Sequence, residues 1–146
     1  MREHPTVLLV CVKNAGKSQM AAGLMTDLVG DAVEVSSAGT RAGTALDELS
    51  VQSLAEVGVD ISDERPKAIT DEMVRNADVV ATLGREAQVE SVDGTRFAQW
   101  ITDEPSERGM DGIERTRLVR DDIARRVEGL ARELGATPRR GYELGL

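Results

Sequence analysis

The stretch Val7 to Val12 (VLLVCV) is apolar at every position, holds the only cysteine in the chain, and runs directly into KNAGKS. An unbroken apolar run of this length fits a strand covered on both faces, as in a parallel sheet between layers of helix. A sheet with one face in water would show alternation instead. Behind the run, QMAAGLMTDLVG places Met20, Leu24 and Leu28 four residues apart and ends on Gly30, the pattern of a helix with its stop signal. The same strand-then-helix reading continues. Val33 to Ala38 is a short strand ending at Gly39, and Thr44 to Val57 carries Leu46, Leu49, Leu54 and Val57 at helical spacing before Gly58. Thr70 caps a short helix with Asp71 and Glu72 in its first turn. Asp78 to Leu83 is a third strand, residues 84 to 95 are a loop with a brief helix at Arg85 to Val89, and Phe97 to Ile101 is a fourth strand. Val119, Ile123, Val127, Leu130 and Leu134 form one stripe of a long C-terminal helix closed by Gly135.

Four strands separated by helices imply right-handed crossovers and a three-layer α/β/α arrangement around a four-stranded parallel sheet. A length of 146 residues suits one domain over 1–146, with 136–146 expected as a loose tail. With 40% apolar residues but only three aromatics, the interior must be filled by Val, Leu, Ile, Ala and Met. Eighteen basic against twenty-six acidic residues give a net charge of -8, which argues against a general nucleic-acid binder while leaving room for a local positive funnel. The N-terminal apolar run is too short for a signal peptide or membrane span, so the expected setting is the cytoplasm, without membrane attachment. A lone cysteine excludes an internal disulfide within this sequence. With one cysteine and one histidine (His4) there is no metal-ligand cluster, and no bound metal or cofactor is expected.

In open α/β sheets, ligands sit beyond the carboxyl ends of the strands, and Cys11 lies at that edge. The following residues can curl around a tetrahedral oxyanion, turning the amides of Val12, Lys13, Asn14, Ala15, Gly16 and Lys17 toward it while the new helix adds its positive end. Gly16 would let the backbone approach the ligand closely. Amide dipoles and the Ser18 hydroxyl would favour the thiolate of Cys11, a nucleophile toward phosphorus or arsenic, and Lys17 would neutralise the ligand. An inert buried cysteine is the plain alternative. A nucleotide-binding loop of the form GxxxxGK[ST] would need glycine where Cys11 stands. Asn14 either holds a local Asx turn or orders the loop directly; the sequence leaves both open.

The ordered set VLLVCVKNAGKSQMAAGLM, SSAGTRAG, LAEVGVDIS, ERPK, DVVATLG and W-ITDEP before a charged helix resembles the low-molecular-weight protein tyrosine phosphatases. It is more similar still to the arsenate reductases built on that fold, from about Val7 to Leu134. That superfamily carries arginine at the position of Lys17. A guanidinium grips two oxygens in a fixed fork whereas an ammonium is a point charge, so Lys17 weighs against efficient phosphomonoester hydrolysis. The GKSQMAA form resembles the actinobacterial arsenate reductases that use mycothiol.

The resemblance implies a general acid just before a proline after the fourth strand. Here the segment reads Asp103, Glu104, Pro105. Asp103 is the expected acid by its distance from Trp100, with Glu104 the alternative, and a simple turn held by Pro105 a third reading. Trp100 is expected to anchor the segment in the core. Arg108 either enters the mouth of the site or is solvated. No Tyr follows Pro105 before Tyr142, which weakens an aromatic substrate. Thioredoxin-coupled relatives carry extra cysteines at about residues 82 to 89, where TLGREAQV has none. The implied reaction is therefore attack of Cys11 on arsenate, transfer of the adduct to mycothiol as co-substrate, and reduction of the conjugate by a separate mycoredoxin-like redoxin. A phosphatase acting on tyrosine or small phosphoesters, and a non-catalytic oxyanion-binding protein, are the competing readings.

Overall fold

A computed structural model describes residues 4–102 and 112–136. Four strands, β1 (Thr6–Cys11), β2 (Glu34–Gly39), β3 (Val79–Leu83) and β4 (Arg96–Trp100), pair in parallel in the order β2-β1-β3-β4. The helices are α1 (Lys17–Val29), α2 (Glu48–Ala55), α3 (Asp71–Asn76) and α4 (Gly112–Glu133). The α/β class and the four-stranded parallel sheet expected from the sequence are both present. Among the described residues no helix is long and apolar enough to cross a membrane.

The continuous apolar character of β1 has a direct structural cause. Successive side chains of a strand point to opposite faces. Val7, Leu9 and Cys11 join a core with Met20, Leu24 and Met25 of α1 and Ile123 and Val127 of α4. Leu8 and Val10 join a second core on the other face, with Val74 of α3, Ala77 and Ala87. The first face is covered by long helices and the second by the short α3 and the 84–95 segment. Trp100 is buried in the first core, as expected of an anchor.

Two elements differ from the sequence reading. The second helix, expected from Thr44, starts only at Glu48. Asp47 caps it by accepting from the Ser50 amide at 3.1 Å and the Ser50 hydroxyl at 2.7 Å, while the Asp47 amide itself donates to Ala15 O at 2.9 Å. Residues 40–47 therefore direct backbone amides at the cysteine loop rather than into a helix. The brief helix at Arg85 to Val89 is absent: Gly84 adopts φ +92°, a left-handed conformation that breaks a helical start, and its amide donates to Trp100 O at 2.9 Å. The expected tail lies, beyond Ala136, outside the described residues.

The outer helix α2 is tied to α4 through one carboxylate. Arg117 donates to Glu56 from Nε at 2.9 and 3.1 Å and from Nη2 at 2.6 Å, and Arg120 Nη1 donates to Glu56 at 2.9 Å and to Ser53 O at 2.9 Å. The Arg117 hydrogen bonds, supported by Arg120, hold the Glu56 carboxyl down to about 2 from an ordinary 4.5. A carboxyl whose folded value is depressed binds fewer protons in the folded state, so its stabilisation is complete above the unfolded value and is lost as pH falls through the folded one. Glu56→Gln is therefore expected to lower the denaturant midpoint at neutral pH. The gap to wild type should close between about pH 4.5 and pH 2; a gap that persists at the acid end would assign it to packing instead.

Candidate active site

Cys11 ends β1 beside Gly39, its register partner on β2, and the chain then turns through residues 12–16 into α1. The outer side of this turn is held by backbone bonds. Thr40 N donates to Cys11 O at 3.1 Å, Arg41 N to Val12 O at 2.7 Å, Gly43 N to Lys13 O at 2.9 Å and Asp47 N to Ala15 O at 2.9 Å. A trans peptide points its C=O and the next N–H in opposite directions, and no peptide among the described residues is cis. With those carbonyls engaged outward, the amides of Val12, Lys13, Asn14 and Gly16 turn inward. The Asn14 amide shows the direction, donating to Cys11 Sγ at 3.2 Å. Gly16 O accepts from Met20 N within the first turn of α1, which orients the Lys17 amide back toward the loop.

The close approach depends on Gly39. A Cβ at this position would lie 2.6 Å from Val12 O and 3.0 Å from Asn14 N, so no side chain fits without moving the loop backbone. Gly16 behaves differently from the expectation. Its bare side faces Ser50 Oγ, 3.2 Å from where a Cβ would stand, so its small size serves the packing of α2 against the loop.

A buried side-chain network holds the sulfur from below. Asn14 is fully buried with φ +55°. Its Oδ1 accepts from Lys67 N at 2.9 Å and from Gln19 Nε2 at 3.1 Å, which fixes the orientation of the amide group. Its Nδ2 must then donate, and does so to Ser18 Oγ at 2.7 Å. Ser18 Oγ lies 2.9 Å from Cys11 Sγ. Because Ser18 already accepts from Asn14, its own proton is available to the sulfur, so a thiolate here would receive the Ser18 hydroxyl and the Asn14 amide. The Lys67 contact is remote in sequence, which favours ordering of the loop over a local Asx turn as the role of Asn14. Gln19 also donates to Arg65 O at 3.1 Å, joining the loop to the segment before α3.

The first turn of α1 contains no acidic residue, and its N-cap, Gly16, makes no side-chain capping bond, whereas α2 and α3 are capped by Asp47 and Thr70. The positive end of α1 is left for an anion. Lys17 Nζ lies over the β3–β4 connection, 3.9 Å from where a Gly84 Cβ would be, and the Lys17 side chain lines the cleft above the loop. Cys11 is buried, with 8% of its surface exposed. Asp103, Glu104, Pro105 and Arg108 lie outside the described residues. The strand leading to them is anchored by buried Trp100 and by Arg126 Nη2, which donates to Ile101 O at 2.8 Å.

The sequence pattern places Cys11, Ser18 and the loop amides in one cluster, and the geometry brings them together. The pattern does not reveal Gln19, Gly39 and the Lys67 amide as supports. Gln19 and Gly39 stand inside the GKSQMAA and SSAGTRAG motifs, but what they support is settled by contacts between separate segments. The Lys67 contribution comes from the backbone and leaves no side-chain signal.

The family model described as low molecular weight phosphotyrosine protein phosphatase matches residues 6–139. A curated relative from Halobacterium salinarum, named a putative arsenate reductase, is 35% identical over 130 residues, covering 83% of this chain and 87% of that protein. Among solved structures, a thioredoxin-dependent arsenate reductase of Corynebacterium glutamicum superposes with a TM-score of 0.77 at 33% identity over 90% of this chain; the match spans only 62% of that longer chain. An arsenate reductase solved in a phosphate-binding state gives 0.77 at 28% identity, covering 88% of this chain and 98% of the other. With an inward-facing amide loop around a cysteine at the end of its first strand, and with matches of this extent, the chain belongs to the low molecular weight phosphotyrosine protein phosphatase family, among relatives named arsenate reductases.

Proposed function

We propose that the protein is an arsenate reductase working as an arsenate–mycothiol transferase in the reducing cytoplasm, with Cys11 as its nucleophile. The observation that carries this reading is the loop in which outward-bound carbonyls turn the amides inward around a sulfur that Ser18 and Asn14 already face. Such preorganised donors suit a tetrahedral oxyanion and the charge that grows on it during displacement. Relatives named arsenate reductases, one of them solved in a phosphate-binding state, support the oxyanion class. The lining of the cleft supports arsenate over an aryl phosphate. Lys13, Ala15, Met20, Thr44 and Ala45 stand there, and no aromatic side chain among the described residues lines it for a ring to stack on.

In the proposed reaction, arsenate is held by the amides of residues 12–17 and the charge of Lys17. Cys11 Sγ forms a bond to arsenic while one oxygen leaves, taking its proton from Asp103. The sulfur of mycothiol then forms a new S–As bond as the Cys11 S–As bond breaks, returning Cys11 as the thiolate with no change in oxidation state. A redoxin thiolate attacks the mycothiol sulfur, giving a mixed disulfide and releasing arsenite, and this is where arsenic gains two electrons. The single cysteine supports an external thiol, since no second sulfhydryl is present in this sequence to form a disulfide with Cys11.

Cys11→Ser is expected to abolish arsenate consumption in the presence of mycothiol and its redoxin, with the fold retained by circular dichroism; unchanged consumption would remove Cys11 from the chemistry. Turnover of a chromogenic aryl phosphate should be far slower than arsenate turnover, and the reverse ranking would favour the phosphatase reading. Asn14→Asp replaces the Nδ2 donor with an acceptor, which competes with Cys11 for the Ser18 proton. An unmade buried hydrogen bond is worth about 1–3 kcal/mol, so the rate constant for alkylation of Cys11 should change by roughly fivefold or more. An unaltered constant would show that the network is not what orders the sulfur.

A further inference from the structure

The cleft beside the cysteine loop encloses about 740 Å³, far more than one tetrahedral oxyanion fills and within the range of about 300–1,000 Å³ typical of small-molecule sites. Three segments meet around it: the loop (Lys13, Lys17), the 40–47 segment (Arg41) and the start of α4 (Arg115). Its floor includes Ala15, Met20 and Val119. Among the described residues the one carboxylate on its wall, Asp47, is already engaged by Ser50 as the cap of α2. Among the described residues Lys13, Arg41 and Arg115 make no ion pair. In a chain of net charge -8 this is, among the described residues, a local concentration of positive charge beside the cysteine loop. A second cleft of about 680 Å³, on the β2 side of α1, has the opposite character, with Asp27, Asp60 and Glu64 against Lys67. The two clefts are similar in size and differ in sign.

We propose that the cationic cleft is the seat of the external sulfur nucleophile, and that Arg41 and Arg115 determine its selectivity by admitting that nucleophile as an anion, the thiolate. The inference rests on the arsenate reading and identifies the form in which the second substrate enters. Sulfur attacks as thiolate. Arsenate occupies the amide loop, so the incoming sulfur arrives from beside it, and the cleft that holds Arg41 and Arg115 shares Lys13, Ala15, Gly16 and Lys17 with that loop. Low-dielectric walls around a cluster of one sign raise the local concentration of the opposite charge.

The test compares wild type with Arg41→Gln, Arg115→Gln and the double variant. Arg41 holds the loop through its backbone amide, so changing its side chain leaves that bond in place. First, without arsenate or thiol, alkylation of Cys11 by iodoacetate is timed against iodoacetamide, its neutral counterpart. The rate ratio of anion to neutral reagent is expected to fall about threefold in each single variant and about tenfold in the double variant, with the iodoacetamide rate held and Arg→Lys retaining most of the ratio. A constant ratio, or an equal loss with both reagents, overturns the proposal. Second, the KM for mycothiol in arsenate turnover should rise about fivefold or more in the double variant, with kcat kept within about twofold and wild type approaching the variant at high salt. Turnover with an unchanged KM sinks the cleft assignment alone. A fall in the alkylation ratio without arsenate turnover by wild type with any thiol sinks the arsenate reading and leaves the cleft as an anion-selective approach to Cys11.

Discussion

The site depends on the backbone pairing between the cysteine loop and residues 40–47. Four carbonyls, those of Cys11, Val12, Lys13 and Ala15, accept from Thr40, Arg41, Gly43 and Asp47, and peptide geometry converts that outer attachment into an inner ring of donors. Without these bonds the loop amides would have no reason to share a direction. The attachment in turn requires Gly39, because any side chain there would collide with Val12 O and Asn14 N. It also meets the start of α2, since Asp47 gives its amide to Ala15 O and caps the helix with its carboxylate.

Beneath the ring, Asn14 acts as the junction between chain segments far apart in sequence. Donors from Lys67 and Gln19 fix its carbonyl oxygen, which fixes its amide nitrogen on Ser18, which leaves the Ser18 proton for Cys11. The left-handed backbone of Asn14 is unusual for a residue with a side chain and is held by three hydrogen-bond partners, Lys67 N, Gln19 and Ser18. Charge is arranged on a larger scale. The chain as a whole is acidic, while the cleft beside the loop gathers Lys13, Arg41 and Arg115, so attraction of anions is concentrated next to the place where chemistry is proposed.

Much of this arrangement is legible in the amino-acid sequence. VLLVC announces a strand buried on both faces, the period of Met20, Leu24 and Leu28 announces α1, and the stripe from Val119 to Leu130 announces α4, because burial imposes the periodicity that a sequence displays. Cys11, Ser18 and the loop amides are legible as a cluster because they are neighbours in the chain. The true start of α2, the fate of residues 85–89 and the roles of Gln19, Gly39 and Lys67 are not. Each is decided by contacts between separate segments, and several of those contacts are made by backbone groups, which every residue type supplies alike.

The sequence by itself determined the layer architecture, the position of the cysteine at a strand end, and the absence of a second cysteine within this chain. Those properties follow from local periodicity, from the order of elements and from counting residues. Tertiary structure alone decided which way the loop amides face, which atom of Asn14 meets Ser18, and that Arg41 and Arg115 converge beside the same loop. Direction and convergence are set by hydrogen bonds and packing between distant segments, and a linear pattern of residue types carries no record of them.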